Sequence, residues 1–350
     1  KFSVAYYSCP NQAGNRIHHF LNGVGWSVIT NRTVLWKYYT KDVCLDIGRA
    51  HAPEICDQAN TKKDCDEVLT LADWIPSHDE WTKLLNLPEV KLVPYWSTHM
   101  PPGEVDTRKE FSRLRHPWHE GDEKFAGVDK NETRLVRFGQ MHSREMRFFK
   151  NEECRNYLLH KEESRIVAEA LLEHGAAALY GRLFHTSWSF TPAVAPPQQL
   201  IQDTKTTFTV SLHSRHHSAK DTGSNIEPEV KCLEEVLKGI DGNCAVYVMS
   251  DRKDTLAQVS KYVKKKHRCK TVVAPHAEGK GLHEEHGPFA GIGFFQDLAL
   301  ASQGRHAFVG HSRSSSLLLE ELMDYGRIRE GGRSDLKLLK CELPSKHKAK

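Results

Sequence analysis

Strands and helices alternate along the second half of the chain, and this rhythm constrains the fold more than any other feature. Short β-branched and apolar runs are predicted strands at Thr206–Leu212, Ala245–Met249, Thr271–Val273 and His306–Val309. Amphipathic stretches between and after them are predicted helices at Glu229–Leu237, Asp254–Lys266, Gly293–Ala301 and Ser315–Met323. Four repeats of strand and helix predict a doubly wound parallel sheet, in which ligands bind beyond the carboxyl ends of the strands.

The first half opens with the same rhythm and then loses it. A strand at Val4–Tyr7, a glycine turn at Gly14, a helix with apolar periodicity over Ile17–Val24 and a strand at Thr33–Tyr39 predict a second α/β unit. From about residue 41 to 130, cysteines, prolines and tryptophans break the pattern. We interpret this stretch as an irregular insertion in the first domain.

A strand is expected within the insertion near Val90–Trp96, and an amphipathic helix after it at Glu152–Leu172, with Gly175 and Gly181 marking the end of that helix. The chain of 350 residues has the length of two domains. The uncharged, proline-rich run Thr191–Pro197 is the best candidate boundary. The predicted division is a first α/β domain at 1–195, a linker at 196–202, a second α/β domain at 203–330 and a C-terminal tail at 331–350.

Composition excludes several classes of protein. Charged residues make up 27% and hydrophobic residues 39% of the chain, which excludes a disordered protein, a collagen or a coiled coil. Lys and Arg number 49 and Asp and Glu 45, and this dispersed net charge of +4 predicts no nucleic-acid partner. No run of about 18 apolar residues occurs, so no membrane-spanning helix is expected.

Cysteines and glycosylation sequons indicate the secretory pathway. None of the nine cysteines forms a CxxC pair, and Cys44, Cys56 and Cys65 lie in a polar stretch that suits disulfides. Sequons at Asn31 and Asn131 predict N-glycosylation. Nine reduced cysteines in a cytosolic protein are the alternative. The chain begins at Lys1 without Met, which we interpret as a mature form whose N-terminal targeting segment or membrane anchor has been removed.

Polar and basic residues follow three of the predicted strands. His213-Ser214-Arg215 follows the first, Ser250-Asp251 the second, and Gly310 to Ser316 the fourth, where a helix begins. An arginine fork and a helix N-terminus suit a diphosphate, and a strand-end Asp suits a ribose or a base edge. Neither a P-loop nor a GxGxxG fingerprint is present, so the pattern predicts a nucleotide site of another kind. Taken singly, these features also suit a surface ion pair, an N-cap and a flexible turn.

Several of these motifs, in this order, resemble those of the GDP-fucose-dependent fucosyltransferases of GT-B fold, which transfer fucose in α1,2 or α1,6 linkage or to protein hydroxyls. His213-x-Arg215 is similar to their H-x-R motif, and Ser250-Asp251 to their [ST]-D-D segment. The stretch from Phe295 through Ser312–Ser315 to Leu322 resembles their D-x-x-x-L-S, V-x-[ST]-x-S-S and E-L block. Gly14-Asn15-Arg16 resembles the turn that opens the acceptor-side domain. The resemblance is clearest over residues 203–325.

The resemblance implies two Rossmann-like domains facing a cleft, with residues 1–195 on the acceptor side and 203–330 binding the nucleotide sugar. It implies an inverting glycosyltransferase that moves L-fucose from GDP-fucose to a hydroxyl of a glycan or glycoprotein in the Golgi lumen. Neither a metal nor another cofactor is expected. Arg215 would stabilise the leaving diphosphate. The implied nucleotide-sugar-binding residues are Gly14, Asn15, Arg16, His213, Ser250, Asp251, Asp297, Ser312, Arg313, Ser314 and Ser315.

The general base has several candidates. Asp221 and Glu227 follow the Arg215 loop, and His216 or His217 is a third choice. Departures from the family pattern, such as Arg252 in the place of a second Asp, leave two alternatives: another nucleotide sugar, or an inactive transferase-like protein that binds carbohydrate. A metal-dependent hydrolase is a third hypothesis. It would use the two H-x-x-H patterns, His213 with His216 and His283 with His286.

Overall fold

A computed structural model describes the chain in ten longer ranges and a set of short ones. The longer ranges are residues 2–7, 33–38, 165–196, 207–215, 225–240, 242–267, 269–274, 290–311, 314–329 and 338–343. Residues 85–86, 104–106 and 135–137 and the single positions 14, 17, 18, 20, 21, 24, 61, 62, 65 and 198 are described as well.

The first sheet has four parallel strands in the order β2-β1-β5-β4. These strands are β1 (Phe2–Tyr7), β2 (Thr33–Tyr38), β4 (Glu104–Asp106) and β5 (Leu135–Arg137). Helical residues 14, 17, 18, 20, 21 and 24, which we call the N-terminal helical segment, lie between β1 and β2. All six are buried, so the predicted opening of a first α/β unit is present.

The second sheet has five parallel strands in the order β11-β10-β7-β8-β9. They are β7 (Phe208–Ser214), β8 (Cys244–Ser250), β9 (Lys270–Val272), β10 (Ala307–Gly310) and β11 (Leu339–Glu342). Its helices are α2 (Glu227–Leu237), α3 (Lys253–Lys266), α4 (Ala290–Ala301) and α5 (Ser314–Arg329). The predicted alternation of strand and helix is therefore present in the predicted order.

Helices cover both faces of this sheet, and the alternation of side chains along β7 shows which helix lies on which face. Val210 and Leu212 join a buried cluster with residues of α2 and α3. Ser211 points to the other face, where its Oγ donates to the carbonyl of Ala301 at the end of α4, at 2.5 Å. Residues of β7 with even numbers thus face α2 and α3, and those with odd numbers face α4 and α5.

The segment assigned to a C-terminal tail contributes to the second sheet. Strand β11 pairs with β10 in parallel, and the disulfide Cys232–Cys341 joins it to α2. A second disulfide, Cys244–Cys269, links the start of β8 to the residue before β9. Cys65, in the predicted insertion, is also disulfide-bonded. The disulfides therefore extend beyond the cluster where the sequence indicated them.

Helix α1 (Arg165–Ser187) runs six residues past Gly181, so the prediction that this glycine marks a helix end is wrong. At Gly175 the helix does break, with φ 84° and ψ 169°. Gly181 instead lies where α1 meets α5, and a Cβ there would overlap the carbonyl oxygen of Glu321. The glycine permits a close approach of two helices, a contact that local sequence does not specify.

The proline-rich run after α1 forms an ordered turn. The amides of Val194 and Ala195 both donate to the carbonyl of Thr191, and Val194 is buried. Just before it, β6 (Ser189–Phe190) pairs in antiparallel fashion with β3 (Leu85–Asn86) of the predicted insertion. The strand expected near Val90–Trp96 lies outside the described residues. None of the described helices is long and apolar enough to cross a lipid bilayer.

Replacing both cysteines of the Cys232–Cys341 disulfide by Ala should lower the free energy of unfolding by about 3–5 kcal/mol. The bond closes a loop with a sequence separation of 109, which restricts the unfolded chain. Urea denaturation followed by circular dichroism measures the loss. The matched control is the Cys244–Cys269 pair, with a separation of 25. Its removal should cost about 1 kcal/mol less on the loop-entropy account, and an equal or larger loss would contradict that account.

Gly181→Ala should destabilise the chain by about 1–3 kcal/mol, because the added methyl group must push α1 away from α5. This loss outweighs the gain of about 1 kcal/mol that Ala brings to a helix interior. Thermal unfolding checks it. Arg182→Ala is the control: the side chain at the next position is exposed, and its removal should change stability by less than about 0.5 kcal/mol.

Candidate active site

Three strand ends meet at one edge of the second sheet. Strand β7 lies between β8 and β10, and His213 pairs with Met249 on one side and with Gly310 on the other. Ser214 pairs with Ser250. Because all three strands are parallel, the residues that follow them lie at the same edge. The register therefore brings together the groups that the sequence placed after separate strands.

His213 is buried at this edge and held from one side. Its Nδ1 forms a hydrogen bond of 2.5 Å with Ser316 Oγ, in the first turn of α5. Burial above all, then the positive charge of Arg215 and the neighbouring His311, lower the pKa of His213 from 6.5 to about 3. The imidazole is neutral near pH 7, so it acts there as a neutral hydrogen-bonding group.

Arg215 follows β7 directly and is partly exposed. Its guanidinium is near enough to depress the pKa of His213, so its charge lies at the same edge. Alternation along the extended chain places Arg215 on the side of the sheet that carries His213. The positive charge of Arg215 therefore lies where it can bind an anionic ligand at the strand ends.

Ser250, the last residue of β8, is buried, and Asp251, which follows it, is partly buried. Arg252 holds the place of the second Asp in the family motif. Its guanidinium forks onto Asp254 at the start of α3, with Nε to Oδ1 at 2.9 Å and Nη2 to Oδ2 at 2.8 Å. The backbone amide of Arg252 donates to Ser250 Oγ at 3.2 Å. This difference from the motif that the segment resembles therefore forms a local ion pair at the start of α3.

Helix α5 begins at Ser314, and its first turn, whose amides have no acceptor within the helix, lies beside the strand edge, where Ser316 contacts His213. Ser315 and Ser316 are both buried there. A helix N-terminus carries partial positive charge and exposes N–H donors, which together favour an anionic group. Arg215 and this turn provide the two positive features that the sequence assigned to a diphosphate.

Gly14 of the N-terminal helical segment approaches the same turn of α5. A Cβ at Gly14 would lie 2.9 Å from both the backbone nitrogen and Oγ of Ser315. Only a residue without a side chain permits this approach. The structure thus places two residues of the predicted binding set next to each other although 300 positions of sequence separate them.

A buried pair below this contact was not predicted. His18 Nε2 and Glu321 Oε2 lie 2.9 Å apart, and both side chains are almost fully buried. The signal was a histidine on the apolar face that Ile17, Phe20 and Leu21 define, together with the Glu of the family's E-L block. The pair joins the N-terminal helical segment to the middle of α5.

Glu229 is a second residue that sequence reasoning missed. It lies in the first turn of α2, is buried, and accepts a hydrogen bond from Ser214 Oγ. The sequence singled out Glu227 instead, two residues earlier. Glu227 is exposed, and its amide donates to Asn225 Oδ1 at 2.9 Å. The signal that could have found Glu229 is its helical spacing from the apolar residues Cys232 and Leu233, which places it on the buried face of α2.

The remaining candidates divide into two groups. Asp297 is buried within α4. The others lie outside the described residues: Asn15, Arg16, Asn31, Asn131, His216, His217, Asp221, His283, His286, Ser312 and Arg313. Within the described ranges, no three His, Cys, Asp or Glu residues come close enough to hold a metal ion.

The similarity of this chain to known proteins is a similarity of structure. Neither the family models nor the characterised proteins include a match to this sequence. Among solved structures, a mutant of Arabidopsis thaliana FUT1, a fucosyltransferase, in complex with GDP matches 92% of this chain and 68% of its own, at 11% identity and a TM-score of 0.50. Fucosyltransferase NodZ from Bradyrhizobium matches over 91% of both chains at 11% identity, with a TM-score of 0.46.

At 11% identity, the likeness to FUT1 establishes the fold alone. The chain has a GT-B-like fold of the fucosyltransferase type, with two parallel α/β sheets, as the resemblance implied. The sequence-based expectation of the fold class is confirmed.

His213→Gln should flatten the dependence of stability on pH. In the folded chain the pKa of His213 is about 3, below the ordinary 6.5, so the unfolded chain binds the extra proton between these values. Stability is complete above pH 6.5 and falls as the pH drops toward 3. Near pH 5 this histidine should contribute a slope of about 1.4 kcal/mol per pH unit, which the variant loses.

Urea denaturation at several pH values between 4 and 7 measures that slope. Ser316→Ala is the control, because it removes the hydrogen bond but leaves the imidazole buried. It should lower stability while keeping most of the slope. A His213→Gln variant with the same slope as the unmodified chain would contradict the assignment.

Proposed function

We propose that this chain is a glycosyltransferase that binds a nucleotide diphosphate sugar at the carboxyl edge of its second sheet, with GDP-fucose as the donor. The observation that carries the proposal is the meeting of Arg215, buried His213 and the first turn of α5 at one edge. The solved structure of FUT1, which shares the fold, contains GDP.

Arg215 is the residue that we assign to the diphosphate. A guanidinium presents two parallel N–H donors that match phosphate oxygens, and its charge persists at every physiological pH. The backbone amides in the first turn of α5 add further N–H donors for the phosphate oxygens. Negative charge grows on the diphosphate as the bond to the sugar breaks, so both groups stabilise the transition state more than the bound donor.

We further propose that transfer is inverting, with attack by a hydroxyl of a glycan or glycoprotein on the anomeric carbon. The bond from that carbon to the diphosphate breaks as the new bond forms, and a general base accepts the hydroxyl proton. Asp221 and Glu227 remain the proposed bases. The exposure of Glu227 suits a carboxylate that must meet an acceptor arriving from solvent.

The secretory pathway, and the Golgi lumen within it, is the proposed compartment. Disulfides form and persist in oxidising compartments, and the described residues contain the pairs Cys232–Cys341 and Cys244–Cys269 as well as the disulfide-bonded Cys65.

Arg215 and the N-terminus of α5 supply positive charge to the diphosphate, so we propose that transfer needs no metal.

Arg215→Ala should weaken GDP binding by about 10- to 100-fold and abolish sugar transfer, while the circular dichroism spectrum and melting temperature stay close to those of the unmodified chain. The loss follows from removal of a charge-assisted, bidentate contact. Arg215→Lys should recover part of the affinity, because an ammonium supplies charge without the fork.

Arg305→Ala is the matched control. This arginine lies before β10, at the opposite end of the sheet, where its Nη1 donates to the carbonyls of Ser302 and Gly304. It should leave GDP binding unchanged. Undiminished turnover in Arg215→Ala would refute the placement of the diphosphate.

Calorimetric titration of the intact chain with GDP, GDP-fucose, GDP-mannose, UDP and UDP-galactose identifies the donor. Binding of GDP and GDP-fucose in preference to the others supports the proposal. Preferential binding of UDP compounds would replace the donor, and binding of none would favour the inactive carbohydrate-binding alternative.

A further inference from the structure

Strand β7 is held at its carboxyl end from both faces of the sheet. On one face, His213 bonds to Ser316 of α5 at 2.5 Å. On the other face, Ser214 is buried completely, and its Oγ donates to Glu229 Oε1 of α2. Arg215 is the next residue along the chain. The backbone of Arg215 therefore follows directly on Ser214, whose side chain is held by Glu229.

The carboxyl group of Glu229 is satisfied at one oxygen. Its Oε2 is buried as well and accepts no hydrogen bond from any residue in the described ranges. The side chain is 2% exposed, and buried residues Cys232 and Leu233 follow it on α2. Burying a carboxyl group that receives one hydrogen bond destabilises a fold relative to an apolar side chain of similar size. Stability alone does not account for a carboxyl group at this position.

The hydrogen bond from Ser214 to Glu229 does hold the carboxyl end of β7 in one position. Alternation along β7 directs Ser214 toward α2, whereas His213 and Arg215 face α5. The backbone pairing of β7 with β10 ends at His213, whereas Ser214 pairs with Ser250 of β8, so the bond to Glu229 adds a side-chain anchor to α2 at the last residue of the strand. A catalytic group must be held to within a fraction of an ångström, and its orientation depends on the supports behind it.

We propose that Glu229 is a positioning residue: through its hydrogen bond to Ser214 it holds the end of β7 so that Arg215 meets the diphosphate. The inference rests on the proposed function, in which Arg215 binds that group. Glu229 itself touches neither donor nor acceptor in this account. Its effect passes through Ser214 and the peptide that joins Ser214 to Arg215.

The test replaces the polar pair by an apolar one in the full chain. Ser214→Ala with Glu229→Leu removes donor and acceptor together, so neither is left buried and unsatisfied. The melting temperature should stay close to that of the unmodified chain or rise. The affinity for GDP, measured by calorimetry, should nevertheless fall by about tenfold, as for the loss of one well-made hydrogen bond.

The single variants show whether the two residues act as one unit. Ser214→Ala alone should weaken GDP binding by about as much as the double variant, because a shared path gives non-additive effects. Glu229→Gln keeps an acceptor for the Ser214 hydroxyl and should recover most of the affinity that Glu229→Leu loses. Recovery by the conservative variant separates positioning from a general effect on stability.

Ser211→Ala is the matched control within the same strand. Its hydroxyl is also buried and bonded, to the carbonyl of Ala301, but it lies three residues before the strand end. This variant should lower the melting temperature and leave GDP affinity unchanged.

The outcomes separate the two levels of the proposal. If the unmodified chain binds none of the nucleotides, the proposed function fails. If it binds GDP and the double variant binds GDP within about twofold of it, the positioning role alone is overturned. A fall in GDP affinity in Ser211→Ala equal to that in the double variant would also overturn it, because the effect would then not be specific to the carboxyl end of β7.

Discussion

The close contact of α5 with two other helical segments is the constraint on which the candidate site depends. Gly14 meets Ser315 in its first turn, His18 bonds to Glu321 near its middle, and Gly181 of α1 approaches the same Glu321 from another side. Two of these contacts require glycine and the third is a buried polar pair. Their common effect is to fix where the first turn of α5 lies, and with it the Ser316 hydroxyl that bonds to His213.

The parallel pairing of β7 with its two neighbours brings together the strand-end residues of the candidate site. The pairing of β7 with β8 and β10 brings His213, Ser250 and Gly310 to one edge. The sheet thus positions a cation from one strand and polar groups from another opposite a helix N-terminus. The same arrangement buries His213, which keeps it neutral, so among the described residues Arg215 and the N-terminus of α5, rather than His213, bring positive charge to this edge. The proposed binding of the diphosphate depends on these two positive groups.

Local patterns predicted much of the second sheet because a strand between two amphipathic helices is recognisable from a short window. They failed where a residue serves a distant one. Gly181 looked like a helix end, yet it permits α1 to approach α5. Residues 339–342 looked like part of a tail, yet they complete the sheet beside β10 and are joined to α2 by Cys341. In both cases the partner lies more than 30 residues away, beyond any local pattern.

Sequence by itself determined the α/β class, the order of the strands from β7 to β10 with their helices, and which residues follow which strand. It did so because side-chain periodicity and strand-end position are properties of consecutive residues. Only the tertiary structure decided that Glu229 bonds to Ser214 and that His18 meets Glu321. Such partnerships depend on how two separate elements come together in space, and no local stretch of residues contains that relation.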